Sequence, residues 1–111
     1  MPLISISTSA TIENKKDFVE KSSNLISNLT KKPEKFVMVK LSNDSIMYFD
    51  NKYSPSCYVE IRSIGSLNPQ EMSSSIAEFC SRELGLGPER IYINFVDVNA
   101  AMWAWNGKTF G

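Results

Sequence analysis

The chain places a strand, a helix and a strand in succession, and this order constrains its fold more than any other feature. Residues alternate between apolar and polar from Leu3 to Ser7, which predicts a strand. Phe18, Leu25, Ile26 and Leu29 recur at helical spacing, and Pro33 ends that helix. The following segment FVMVKL predicts a second strand, because it is rich in residues that favour β-structure.

The second half of the chain repeats this order. The segment CYVEIRSI, residues 57–64, predicts a third strand that Gly65 ends. A second helix begins after Asn68 and buries a stripe made of Met72, Ile76, Phe79, Cys80 and Leu84. The segment IYINFVDV, residues 91–98, predicts the fourth strand, and Asn106-Gly107 predicts a turn in the aromatic tail.

The helix ends have their own signals. Thr11 is predicted to cap the first helix, with Glu13 in its first turn. For the second helix, Asn68 is the predicted cap, Pro69 fits the first position and Glu71 is placed for a capping-box contact.

Two strand–helix–strand units predict one α+β domain that covers residues 1–111. Each unit pairs its strands in parallel through a right-handed crossover. The two units share a four-stranded mixed sheet with both helices on one face. The other face is uncovered, and strands two and four carry apolar residues on both sides, so we expect a second subunit to bury it.

Composition excludes several classes of function. Twelve basic and twelve acidic residues balance, which argues against a nucleic-acid binder. The chain has no histidine, so histidine-based catalysis and histidine-ligated metals are excluded. Cys57 and Cys80 form no Cys-x-x-Cys motif, and Cys80 fits the helix core. The sequence has no apolar run of membrane-spanning length and no secretory signal, so we expect a cytoplasmic protein.

Pro2 is the residue that most suggests a catalytic role. If Met1 is removed, the chain begins with a secondary amine, and burial lowers the pKa of such an amine. A base whose pKa lies near neutral can move a proton to and from carbon. The alternative interpretation is that Pro2 simply begins a strand.

Other residues carry two interpretations each. Lys32 lies at a helix end, where a solvated cation is also favoured. The aromatic tail, with Trp103, Trp105 and Phe110, fits either a small-molecule pocket or a subunit interface. Asn94 is polar within an apolar strand and needs a partner if it is buried.

Several segments together resemble the macrophage migration inhibitory factor family of the N-terminal-proline tautomerase superfamily. The resemblance covers nearly the whole chain. It is carried by MPL at the start, by Lys32-Pro33 with FVMV after it, and by Ser63-Ile64-Gly65. Its most specific segments are PERIYIN at residues 88–94, DVNAA at 97–101 and WNGKTF at 105–110.

The resemblance implies a trimer with active sites between neighbouring subunits. It implies that Pro2 is the catalytic base, and that Lys32 and the backbone amide of Ile64 bind a substrate carboxylate. It assigns Tyr92 and Asn94 to the adjacent subunit's share of the site. The residues that it implies for the apolar wall are Phe36, Trp103, Trp105 and Phe110.

The implied activity is keto–enol tautomerisation of a phenylpyruvate-like α-keto acid or a dopachrome-like compound. It needs no metal and no organic cofactor. The alternative that the resemblance implies is a cytokine-like, receptor-binding protein with vestigial activity, which leaves the cell by a non-classical route. A ferredoxin-like small-molecule or RNA-binding module is disfavoured, because no aromatic–basic stripe is present.

This chain departs from the family pattern at two kinds of position. The founder's Cys-Ala-Leu-Cys segment is replaced by Ser56-Cys57-Tyr58-Val59, so a thiol oxidoreductase activity does not transfer. Phe36 stands where the founder has a tyrosine, and Trp103 where it has a valine. The larger Trp103 side chain is expected to narrow the pocket and change the range of substrates.

Overall fold

The computed structural model describes all 111 residues and contains a single four-stranded sheet. The strands are β1 (Pro2–Thr8), β2 (Met38–Ser42), β3 (Cys57–Ser63) and β4 (Ile91–Asp97), in the spatial order β2-β1-β3-β4. β1 pairs in parallel with β2, and β3 with β4, while β1 and β3 are antiparallel. The predicted pair of strand–helix–strand units in one mixed sheet is therefore confirmed.

Two helices, α1 (Lys15–Thr30) and α2 (Pro69–Leu84), pack side by side on one face of the sheet. Phe18 and Phe79 join them, with ring centroids 5.6 Å apart. Burial alternates strictly along β1 and along most of β3, because successive side chains of a strand point to opposite faces. No helix of the chain is long and apolar enough to cross a membrane.

The helix α2 follows its sequence prediction closely. All five residues of the predicted stripe are buried, Pro69 occupies the first turn, and Gly85 ends the helix with a φ of 68°. The capping-box prediction was wrong, because the side chain of Asn68 makes no cap hydrogen bond. The backbone N–H of Asn68 instead donates to Met72 Sδ, at 3.3 Å.

Two element boundaries differ from the sequence prediction. Helix α1 is capped by Asn14 rather than Thr11, because Asn14 Oδ1 accepts from the N–H of Asp17 at 3.0 Å. The strand β2 begins at Met38 rather than Phe36, since residues Glu34–Phe36 form a 3-10 turn after Pro33. This turn moves Phe36 to the end of the sheet.

The uncovered face of the sheet, which we call the open face, is more polar than the sequence predicted. Val39 and Leu41 of β2 pack against the core on the helix side. The open face consists of residues that alternate with the core positions: Leu3, Ser5, Ser7, Met38, Lys40, Ser42, Tyr58, Glu60, Arg62, Tyr92, Asn94 and Val96. Strands β2 and β4 do carry apolar residues on this face, Met38 and Val96, as the sequence predicted. The face as a whole is nevertheless mixed, because only Leu3, Met38, Val96 and the two tyrosines are apolar or aromatic.

The loop between β2 and β3 is held by one buried arginine. The guanidinium of Arg90 donates to the carbonyls of Phe49 and Ser54, at 2.8 and 2.9 Å, and to Ser56 Oγ at 2.6 Å. A longer bond of 3.3 Å reaches the carbonyl of Pro55. Arg90 is only 9% exposed, so its hydrogen bonds replace the water that its charge would otherwise require.

Both cysteines are buried, and neither forms a disulfide. The side-chain hydrogen bond between Cys57 and Cys80, which favours the protonated Cys57 thiol, and the burial of that thiol both raise the pKa of Cys57. A thiol with a raised pKa is poorly nucleophilic, so Cys57 fits a packing role.

Candidate active site

The amino end of the chain lies at one end of the sheet, where several predicted site residues come together. Pro2 is the first residue of β1 and is fully buried. It faces Ser63 across the antiparallel pair with β3. The carbonyl of Ser63 accepts from Val98 N–H at 2.8 Å on the β4 side, so it is not used by β1. Pro2 and Ser63 therefore form the narrow kind of antiparallel pair, in which side chains are closest.

A cavity of about 390 Å³ opens beside Pro2. It reaches Leu3, Met38 and Arg62 on the open face. The rest of its wall is apolar and comes from the two ends of the chain and from the turn that precedes β2. These residues are Met1, Phe36, Val98, Met102, Trp103, Ala104, Trp105 and Phe110. Its volume falls within the range typical of small-molecule sites.

A second cavity, of about 580 Å³, lies on the helix side of the same region. Lys32, Pro33 and Ile64 line it, together with Ala100 and four residues that also border the first cavity: Met1, Phe36, Trp105 and Phe110. Met1 therefore contributes to the walls of both cavities.

The aromatic tail forms a small hairpin over these cavities. Strands β5 (Ala104–Trp105) and β6 (Lys108–Thr109) pair around Asn106 and Gly107, whose φ angles are 53° and 79°. Two successive positive φ values are typical of a tight hairpin turn, as the Asn-Gly signal predicted. The N–H of Phe110 donates to the carbonyl of Trp103 at 3.0 Å, which fixes the tail against the cavities.

The electrostatics of this region disfavour a charged amine. The pKa of the Met1 amino group is lowered, first by burial and second by the charge of Lys32. Lys32 follows the end of α1, where Lys31 adopts a φ of 59° and ends the helix. The carbonyl of Lys32 accepts from Ser27 Oγ at 2.6 Å, which holds the backbone of this residue in place.

One buried polar group near Pro2 has no partner within the chain. Ser63 Oγ is the one buried side-chain polar atom without a hydrogen bond. Buried polar groups are normally satisfied, so Ser63 Oγ is a candidate partner for a water or a ligand group.

The structure brings together most of the predicted site residues but not all of them. Pro2, Lys32 and Ile64 lie around the two cavities with the predicted aromatic wall of Phe36, Trp103, Trp105 and Phe110. Tyr92 and Asn94 lie elsewhere, on the open face of β4. Tyr92 packs on Phe49 with ring centroids 4.6 Å apart, and Asn94 Nδ2 donates to Tyr58 Oη at 3.1 Å.

Sequence reasoning missed Arg62, which the structure places in the wall of the first cavity. The signal was the alternation of Tyr58, Glu60 and Arg62, which puts three polar side chains on one face of β3.

These features define a small α+β protein with two strand–helix–strand units and a buried proline, Pro2, beside an apolar cavity. A family model described as macrophage migration inhibitory factor matches residues 1–111. The chain belongs to the macrophage migration inhibitory factor family.

Individual relatives are similar over their whole length. The chain is 31% identical to the macrophage migration inhibitory factor homolog of Trichuris trichiura, with 99% of this chain and all of the relative aligned. The crystal structure of the homologue from Prochlorococcus marinus superposes with a TM-score of 0.93 at 39% identity, over 98% of this chain and 99% of the other. The Trichinella spiralis structure gives 0.91 at 28% identity, over 97% and 99%.

Proposed function

We propose that the chain is a keto–enol tautomerase in which Pro2, freed by removal of Met1, is the catalytic base. The substrates would be phenylpyruvate-like α-keto acids or dopachrome-like compounds. The observation that carries the proposal is the position of Pro2, which is buried at the wall of an apolar cavity. Burial and the charge of Lys32 lower the pKa of the Met1 amino group beside it. The same two causes would lower the pKa of a Pro2 amine and so favour its neutral, basic form.

In this mechanism each group has one task. The Pro2 nitrogen removes a proton from the carbon next to the ketone, and the enolate oxygen then takes a proton; the reverse direction uses the same groups. Lys32 and the Ile64 N–H bind the substrate carboxylate, since a cation and a backbone donor are the usual partners of such a group. The aromatic wall excludes water and packs against the apolar part of the substrate.

We also propose that three chains assemble and that each site lies between two of them. The open face of the sheet has no covering element, and Met38 and Tyr92 are exposed there by 66% and 63%. Tyr92 and Asn94 lie apart from Pro2 within one chain, so they would reach the site only from a neighbouring subunit. Native mass spectrometry should give three times the chain mass of 12.5 kDa.

The direct test is an intact mass of the purified protein, followed by a phenylpyruvate tautomerase assay on the same sample. The proposal expects the loss of one methionine together with measurable turnover. Processed protein without turnover on any aryl α-keto acid would contradict it. Such a result would favour the receptor-binding alternative.

Lys32 provides a prediction about substrate binding. Replacing Lys32 with glutamine is expected to raise KM for phenylpyruvate about 10-fold, because a charge-assisted hydrogen bond to the carboxylate is lost. Steady-state kinetics would measure this, with Lys31→Gln as the matched control, since Lys31 lines neither cavity. An equal change in both variants would show that Lys32 has no specific contact with the substrate.

The charge of Lys32 also gives a prediction about how kcat/KM depends on pH. The base acts as the neutral amine, so kcat/KM should rise as pH increases through the pKa of Pro2. Because burial and Lys32 lower that pKa, the rise should lie below the pH at which the same amine titrates in water. Lys32→Gln removes one of the two causes and should move the rise to higher pH. A pH profile that is identical in both proteins would exclude this role for the Lys32 charge.

A further inference from the structure

The cavity on the open-face side of Pro2 contains one charged side chain, that of Arg62. Arg62 stands opposite Leu3 on β1 and next to Val96 on β4, so apolar residues flank it in the sheet. A guanidinium in an apolar wall is a strong recognition element for a carboxylate, because its donors are fixed in a planar fork.

The guanidinium of Arg62 is oriented by its neighbours through only one of its nitrogens. Arg62 Nε donates to Glu60 Oε2 at 2.9 Å. Tyr58 Oη donates to the other oxygen of Glu60 at 3.1 Å, and Tyr58 in turn accepts from Asn94. This chain of bonds fixes Glu60, and Glu60 fixes the position of Arg62.

The two terminal nitrogens of Arg62 make no hydrogen bond within the chain. The side chain is 45% exposed in the single chain and lines the cavity beside Pro2, so a ligand in that cavity can reach these donors. The hydrogen bond from Arg62 also lowers the pKa of Glu60, which keeps the partner ionised and the guanidinium in place. The result is a preorganised donor pair beside the apolar cavity.

Lys32 and Arg62 line two neighbouring cavities. Lys32 lines the second cavity and Arg62 lines the first, and the two cavities share four wall residues. A keto acid with one carboxylate would use Lys32 and leave Arg62 without a partner. A keto acid with a second acidic group at the far end of its apolar part would use both.

We infer that Arg62 is a second anion-binding residue of the site, and that the preferred substrates are keto diacids. This inference rests on the proposed function, because it concerns the substrate of the same site. It assigns to Arg62 the recognition of the distal acidic group, while Lys32 holds the carboxylate next to the ketone.

The kinetic test compares two substrates of similar size, 4-carboxyphenylpyruvate and 4-methylphenylpyruvate. The processed protein is expected to have a KM for the diacid that is about 10-fold lower or more, since a charge-assisted pair is gained. Arg62→Gln should abolish this preference, and Arg62→Lys should retain part of it because it keeps the charge without the planar fork. Arg82→Gln is the matched control, because it removes an exposed arginine of α2 far from the site.

A binding measurement separates this inference from the proposed function. Trp103 and Trp105 are the two tryptophans of the chain, and both line the cavity, so their fluorescence reports a bound ligand without turnover. The probes are cinnamate and 4-carboxycinnamate, which cannot tautomerise. Tighter binding of the diacid that Arg62→Gln removes would support the inference even if no turnover is found. Equal affinity for the two probes, or a preference that persists in Arg62→Gln, would overturn it even in an active tautomerase.

Discussion

Blocking the Pro2 nitrogen is expected to lower kcat/KM for phenylpyruvate by about 10²–10⁴-fold, the range that a positioned general base usually contributes. The block is made by inserting one alanine ahead of Pro2, which converts the amine into an amide. An amide nitrogen is not basic, yet the proline ring and the strand that begins with it remain. The loss should appear in kcat, because the carboxylate partners Lys32 and Ile64 are unchanged.

A second variant separates the amine from the ring. Pro2→Gly keeps a terminal amine but loses the rigid ring, so its activity should lie between that of the processed protein and that of the extended one. The circular dichroism spectrum, and the number of chains per assembly found by native mass spectrometry, should be the same for all three proteins. An extended protein with half or more of the original activity would show that Pro2 is not the base.

Replacing Arg90 with methionine is expected to lower the free energy of unfolding by about 3 kcal/mol, because three partly buried carbonyls and the buried Ser56 hydroxyl lose a charged donor. The affected groups belong to the loop before β3: the carbonyls of Phe49, Ser54 and Pro55, and the hydroxyl of Ser56. Methionine keeps most of the apolar stem, so the change removes the hydrogen bonds and the contact of the guanidinium with the Phe49 ring, 5.1 Å from its centroid.

The matched control for Arg90 is Arg82→Met, which removes an exposed arginine and should change stability by no more than about 0.5 kcal/mol. Urea unfolding at one protein concentration would measure both variants, since the stability of an oligomer depends on concentration. Arg90→Lys should recover only part of the loss, because one ammonium cannot replace the planar fork. A loss below 1 kcal/mol for Arg90→Met would show that water replaces the guanidinium.

A helix or strand was predictable from the sequence where an apolar repeat is accompanied by residues that begin or end the element. Helix α2 has a complete apolar stripe between Pro69 and Gly85, and both ends were correct. The predicted start of α1 was wrong. Thr11 and Asn14 are both residues that commonly cap helices, and only the path of the backbone decides between them. Phe36 was predicted to belong to β2 because phenylalanine favours strands. The sequence carries no comparable signal for the 3-10 turn at Glu34–Phe36 that follows Pro33.

The polarity of the open face could not be read from β2 alone. The segment FVMVKL has apolar residues at consecutive positions, so its pattern does not reveal which face is outward. The register settles the question, because Lys40 aligns with Ser5, and Ser5 with Glu60. In the proposed trimer, the position of Tyr92 and Asn94 relative to Pro2 would depend on contacts between chains, and a single sequence contains no direct signal for such contacts.

The two ends of the chain meet at one place, which affects how the protein should be prepared. Met1 and Phe110 border the same two cavities, and Gly111 lies against Ala100. An affinity tag at either terminus would therefore crowd the region around Pro2, and an amino-terminal tag would also leave its nitrogen acylated. The connection from β1 to α1 lies at the opposite end of the strand, where Thr11 and Glu13 are exposed. An internal tag in this connection would allow purification while both termini stay native.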